Sequence, residues 1–236
     1  MPSVNWEGIS DAYARFEASL PFNRILVAQM FEKIEEAEKE CGGQGYVTLQ
    51  ALRKALPTPA WAPLNDPSSV LAQVLLSEHF KDSSKGTAPD QIDVEILNLF
   101  ALLHCAGKPI DKTRVLYGIL QEGGFEKHEE ISAADKDLIP AFNKLCSLVT
   151  IDLFAITKAT GQVNQIYDEA ECKKLMHKDN IYLIREEIWL EEIYGALSRL
   201  KNEAWVEKVS TKAKWIFEPS NLRVKIFENA QVTARH

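Results

Sequence analysis

The sequence lacks the motifs on which most enzyme and metal chemistry is built. Its four cysteines, Cys41, Cys105, Cys146 and Cys172, are spread over 236 residues. None has the CxxC spacing of a zinc or thiol–disulfide site. The five histidines, His79, His104, His128, His177 and His236, make no HExxH or similar pair. His104 and Cys105 are neighbours, so on a helix they point to different faces, which argues against a thiolate–imidazole couple. GxSxG, Walker and GxGxxG signatures are missing. Gly42-Gly43-Gln44-Gly45 is glycine-rich, but it lacks the following Lys-Ser/Thr and the preceding strand that phosphate binding needs. These absences predict a protein that is not an enzyme and carries no cofactor.

Long apolar runs and dense charge are scarce too. The most apolar stretches, Ile92 to Ala106 and Leu145 to Ile156, fall short of the roughly 18 residues of a membrane span and carry Asp93, Glu95 or Asp152, so no membrane insertion is expected. Net charge is −7, modestly acidic. No basic run is dense enough for a nucleic-acid footprint. Met1 to Glu7 has no basic region leading into an apolar run, so no export signal is read there and reduced thiols in the cytoplasm are the expectation. Hydrophobic residues make up 46%, an ordinary globular share, and the length is ample for a buried core.

What is present is a repeated plan. In residues 24–56, Arg24 to Glu40 places Ile25, Val27, Met30, Phe31, Ile34 and Ala37 near the helical period. Cys41-Gly42-Gly43-Gln44-Gly45 breaks it, Tyr46-Val47-Thr48 follows, and a short helix is read from Leu49 to Leu56. A second unit has Val70, Leu71, Val74, Leu75 and Phe80 on a helical period, then a polar, turn-rich stretch from Lys81 to Gln91. Ile92-Asp93 then opens an apolar helix through Ile96, Leu97, Leu99, Phe100, Leu102 and Leu103. A third unit runs from the turn Gly107-Lys108-Pro109-Ile110-Asp111-Lys112 through a helix, Thr113 to Gln121. It reaches a polar loop, Gly123 to Glu130, followed by Ile131 and Ser132.

Over about residues 24–150 this order resembles tandem EF-hands, by spacing and apolar positions and without an intact motif. An EF-hand loop of twelve residues has glycine at position 6 and a bidentate glutamate at position 12. With Gly45 at position 6, Val47 falls at position 8, where the resemblance implies a short β-pairing to a neighbouring loop. Thr48 then caps the exiting helix. Positions 3, 5 and 12 are Gly42, Gln44 and Ala51, so a calcium ion wanting six to eight oxygens finds Glu40, one amide and backbone. In the second unit, extra residues between Asp82 and Ile92 spoil the convergence of side chains, and Glu95 stands one place before the bidentate position. The third loop is the least damaged, with Glu126 at position 3 and Asp135 at position 12 as the remaining metal candidates. There Gly124 replaces the first aspartate, Lys127 is basic and Glu129 stands where glycine allows the turn. The turn at 107–112 is similar to the link between the second and third hands of calmodulin-like proteins.

The remaining segments complete the expectation. Four prolines between Pro57 and Pro67 forbid an α-helix and favour an extended, rigid loop that holds Trp61, a candidate protein-binding anchor. Ser132 to Ala159 reads as one exiting helix running on into a second, with Pro140 near its start and Gly161 at its end. Asp168 to Phe217 reads as a helical arm or a broken fourth hand. Its Trp205 and Trp215 are either core residues or interface anchors. In the tail, Leu222-Arg223-Val224-Lys225-Ile226-Phe227 alternates apolar with basic residues, as a short strand or extended segment does. Between Lys201 and His236 there are seven Lys or Arg against four Glu, so Arg223, Lys225 and Phe227 join the protein-binding candidates on a basic end.

The predicted fold is all-α: tandem EF-hand-like helix–loop–helix units with a helical C-terminal arm and a short extended tail. The boundaries are an N-terminal helix (1–20), a degenerate pair (21–106), a third unit with its long helix (107–160), an arm or broken fourth hand (161–217) and the basic tail (218–236). The resemblance implies a structural or adaptor protein independent of calcium. Degenerate EF-hand proteins of this size are similar to those lining ciliary doublet microtubules, and to subunits of other cytoskeletal assemblies. That implies tubulin or another axonemal protein as partner, in the cytoplasm or the axoneme. The alternatives are a weak calcium sensor using loop 124–135 and an accessory subunit of a large mitochondrial complex.

Overall fold

The computed structural model describes residues 6–81, 88–122, 130–131, 138–163 and 200–233. Helix α1 (Trp6–Ser19) leads through a 3-10 turn, Pro21–Arg24, into α2 (Val27–Glu40). α2 is amphipathic: Val27, Met30, Ile34 and Ala37 are buried along one face, while Glu32, Glu35 and Glu36 face solvent. A glycine-rich turn ends it, and strand β1 (Tyr46–Thr48) and helix α3 (Leu49–Ala55) follow. The next unit has α4 (Val70–Leu76), a 3-10 turn at Glu78–Phe80, strand β2 (Gln91–Asp93) and α5 (Val94–His104). Strands β1 and β2 pair antiparallel with Val47 opposite Ile92.

The second half repeats this order. It contains α6 (Pro109–Glu122), β3 (Glu130–Ile131), α7 (Leu138–Leu148) and α8 (Ile151–Ala159). Strand β4 (Leu200–Lys201) then runs directly into α9 (Asn202–Lys212), a 3-10 turn at Lys214–Phe217 and α10 (Pro219–Thr233). Ile131 lies opposite Leu200 in a second antiparallel pair. α2 packs on α3 and α5, and α6 packs on α9. The chain is therefore predominantly helical, as the periodicity predicts, with short strands that tie loops together.

Helix α5 sits at the centre. Leu97, Leu99, Phe100, Ala101, Leu102 and Leu103 are all buried, so the helix has almost no solvent face, as expected of one that is apolar on every side. It touches α2, α6, α7 and the 3-10 turns at Pro21–Arg24 and Lys214–Phe217. Phe100 is the hinge of an aromatic cluster: Phe22 and Phe80 stand edge-on to it at 5.1 and 5.0 Å, and Trp61 stands edge-on to Phe22 at 5.0 Å. Such edge-to-face contacts add to the burial of the rings.

Two expectations need correction, those for the proline segment and the tail. The proline segment is a 3-10 helix, Pro59–Asn65, and buries Trp61 and Leu64. Proline at the first position of such a turn loses no hydrogen bond that would otherwise form. The run from 138 to 159 is one helix followed by a second, as read from the sequence, divided at Thr150 (φ −127°, ψ −103°). Taken as one run, Ile139–Ala159 is 21 residues long and apolar enough to cross a membrane by length and composition, beyond the shorter stretches weighed from sequence, but 61% of its most apolar window is buried inside the protein. The tail is not extended: Pro219–Thr233 is helix α10, with Leu222, Arg223, Ile226 and Phe227 buried on one face. The apolar–basic alternation misleads because Arg223 belongs to the buried face and Val224 does not. α10 lies against α1.

The crossover from α5 to α6 is held tightly. Val27 N–H donates to the Ala106 carbonyl at 2.8 Å and Ala106 N–H to the Ile25 carbonyl at 2.9 Å. At Gly107, the next residue, a Cβ would stand 3.1 Å from Val27 Cγ1. Gly107→Ala is therefore expected to lower stability by about 1–2 kcal/mol, read as a lower urea midpoint with an unchanged slope. An unaltered midpoint would show that this approach is slack.

Candidate functional site

The β1–β2 bridge ties together the loops that lead into α3 and α5. Val47 and Ile92 are fully buried. Thr48 caps α3 by accepting from Ala51 N–H at 3.3 Å, and Asp93 caps α5 by accepting from Ile96 N–H at 3.0 Å. Val94 N–H reaches across to the Gly45 carbonyl at 3.0 Å. Gly45 has φ +77°, a conformation that glycine adopts at little cost. Its N–H donates to Glu38 Oε1 at 2.9 Å. Glu40, the carboxylate at position 1, pairs with Lys54 at 2.9 Å. The carboxylates around this loop thus serve the loop itself and the neighbouring helix. Among the described residues, no group of three or more His, Cys, Asp or Glu comes together as a metal site would require. Glu126 and Asp135 lie outside the described residues.

The protein-binding candidates are mostly core. Trp61, Trp205, Arg223 and Phe227 are buried, which removes them as exposed anchors. Trp205 packs against Tyr117 of α6 with ring centroids 6.2 Å apart, and it fixes α9 to the body of the protein. Trp215 and Lys225 are half-buried, and the ammonium of Lys225 lies 5.6 Å from the centre of the Trp215 ring.

Sequence reasoning missed the buried polar groups, because each is completed by residues far apart in the chain. Arg223 is 0% exposed. It donates to Glu17 of α1 at 2.6 Å and to the Val149 carbonyl at 2.7 Å. The guanidinium also lies 5.4 Å from the Tyr13 ring centre. The break between α7 and α8 exposes the Val149 carbonyl that it uses. Burial raises the Glu17 carboxyl above its ordinary value, and the Arg223 charge and hydrogen bond draw it back.

Asp152, in the first turn of α8, is surrounded by three donors. His79 Nδ1 lies 3.0 Å from Oδ1, Lys144 Nζ 2.8 Å from Oδ2, and Ser147 Oγ also donates to Oδ2. Lys144 donates to the His79 carbonyl at 2.9 Å as well. Burial pushes this carboxyl up, but the His79 hydrogen bond and the Lys144 charge and hydrogen bond outweigh it and hold it below its ordinary 3.8. A nucleophilic triad places histidine between serine and aspartate. Here the aspartate is in the middle and Ser147 donates to the carboxylate, so the arrangement fastens α7, α8 and the Glu78–Phe80 turn and leaves the serine without a base.

At the C-terminal end of α5, Lys112 is buried and donates to the Leu103 and Phe217 carbonyls at 3.2 and 3.4 Å. Burial lowers its pKa to about 8, against the opposing pull of Cys105 and Glu218. Burial raises the Cys105 thiol to about 12. It drives the neighbouring His104 down to about 3, helped by the positive charges of Lys112 and Arg223. The two neighbours are therefore a neutral imidazole and a neutral thiol, with His104 packed 4.2 Å from the Phe100 ring.

A groove opens between α2, α5 and α6. It has a volume of about 290 Å³ and is lined by Phe31, Val94 and Val115 among others, with Glu32, Glu35 and Glu38 along it. Comparison of the chain with protein-family models, curated proteins and solved structures finds no match.

Two outcomes are expected from these networks. Arg223→Met leaves the Glu17 carboxylate buried without its partner and should cost about 3–5 kcal/mol, while the double variant with Glu17→Gln should recover much of that loss; equal melts for the two would refute the coupling. The second is a pH effect. His104 stays neutral in the folded state down to about pH 3, whereas the unfolded chain takes up its proton near 6.5. Its contribution is therefore complete above about pH 6.5 and is lost as pH falls toward 3. His104→Leu should lose less stability than the native chain between pH 7 and 4.5, measured as the shift in denaturant midpoint.

Proposed function

We propose that this protein is a non-enzymatic structural or adaptor protein, built on two pairs of degenerate EF-hand-like units that keep one conformation without calcium. The observation that carries this reading is the β1–β2 bridge. Its apolar pair Val47 and Ile92 and its caps Thr48 and Asp93 match the positions expected of coupled ion loops. Around the first loop, Glu38 is spent on the backbone of Gly45 and Glu40 on Lys54. The second bridge, Ile131 with Leu200, and the helix that follows it support a fourth unit, of which the strand and the exit helix are among the described residues.

The interior supports a fixed state as well. In switching sensors, ion binding opens an apolar groove inside the unit. Here Phe22, Trp61, Phe80 and Phe100 fill the space among α2, α5 and the intervening turns with the chain's own rings. A microtubule or other cytoskeletal setting remains what the resemblance suggests. The basic tail lends it no support, since Arg223 is turned inward to Glu17.

Calorimetry of the full chain with calcium chloride tests the reading. The expected result is no saturable heat up to about 1 mM ion and no change in tryptophan fluorescence. Saturable micromolar binding would overturn it, and loss of that binding in Asp135→Ala would transfer the function to loop 124–135.

A further inference from the structure

We propose that the groove between α2, α5 and α6 is the docking site for a partner helix that carries lysine or arginine beside its apolar residues. This deepens the adaptor reading and rests on it. The groove lies outside the aromatic interior, which the chain fills for itself. Its floor is apolar, through Phe31, Val94 and Val115, and among the described residues no lysine or arginine lines it.

Three features make it more than a surface depression. Gly118 lies in the middle of α6, where glycine weakens a helix. A Cβ there would meet nothing within 4 Å, so no packing inside the chain requires a glycine; the open backbone admits a close approach from outside. Asn98 Oδ1 is buried at the groove without a hydrogen-bond partner. A buried acceptor left in this way is costly, and a turn of the Asn98 side chain on docking would bring it to a lysine or arginine of an occupant. The third feature is charge. Glu32, Glu35 and Glu38 line the groove, and α2 carries five glutamates against two lysines. Lys39 is bonded to Glu35 at 2.6 Å and Lys33 to Glu36, which still leaves an acidic rim.

These features select the occupant. An acidic rim repels anionic lipid surfaces and nucleic acid. An apolar floor walled by three helices suits an amphipathic helix with anchors at i and i+4, and the rim complements its basic residues.

The test uses the full chain and a fluorescein-labelled peptide of about 18 residues, with leucines on one helical face and lysines elsewhere. Fluorescence anisotropy is read at about 150 mM salt, where unspecific attraction between exposed charges is screened. Saturable binding is expected, weakened at least about tenfold by Gly118→Trp, which fills the groove, and likewise by the paired change Glu32→Lys and Glu35→Lys. The same peptide with glutamate for lysine should not bind. Absence of binding up to about 100 µM, equal affinity for the Gly118→Trp variant once its melt shows it folded, or equal binding of the glutamate peptide would each overturn the proposal. The exposed charge pair serves if Gly118→Trp does not fold. Calcium binding by the chain would defeat the adaptor reading without touching peptide binding, so the two failures are separable.

Discussion

Everything in this structure is arranged around a helix that cannot meet water. α5 is apolar on nearly all sides, so the chain buries it from Leu97 to His104 except at Asn98, and leaves only its first turn and the groove edge partly open. α2, α6 and α7 pack against it, as do the turns Pro21–Arg24 and Lys214–Phe217. Burying such a helix is favourable in proportion to the apolar area removed from water, at about 25 cal/mol per Å². It also leaves the helix ends to be satisfied inside the protein. At the N-terminal end the Asp93 side chain takes the Ile96 N–H, and β2 continues into the bridge with β1. At the other end Lys112 takes the Leu103 carbonyl. The lysine pays with a lowered proton affinity, and the adjacent histidine is forced neutral.

The buried charges define how the two ends of the chain come together. Arg223 near the C-terminus reaches Glu17 near the N-terminus and the carbonyl of Val149 between them. A buried pair of this kind gives weak net stabilisation, because removing both charges from water costs nearly as much as their attraction returns. In this docking of α10 against α1 both charged groups are satisfied. The Asp152 cluster acts in the same way on α8, with three donors converging on one carboxylate. Both networks pin helices to one another through residues far apart in the chain.

Much of the first half was legible. Ile34, Ala37, Leu97 and Phe100 announce their burial by period, and the glycine-rich break and the capping threonine mark where α2 ends and α3 begins. The tail was misread for a physical reason. Leu222 to Phe227 has period two in hydropathy, and only the pairing of Arg223 with Glu17 makes an arginine count as an inward-facing residue. Trp61 was misread similarly, because prolines that exclude an α-helix do not exclude a 3-10 turn. The groove of α2, α5 and α6 left almost no signal; its one trace is the glycine inside α6.

The sequence by itself determined the helical class, the end of α2 and start of α3, and the poverty of ligands in the first loop, because these depend on residues close together in the chain. Only the tertiary structure decided which tryptophans are core, that the C-terminal segment is a packed helix, and where an acidic groove with an unpaired amide oxygen lies. Those properties belong to residues dozens to hundreds of positions apart, and local periodicity cannot report whether an arginine has found a buried carboxylate or an asparagine has not found a donor.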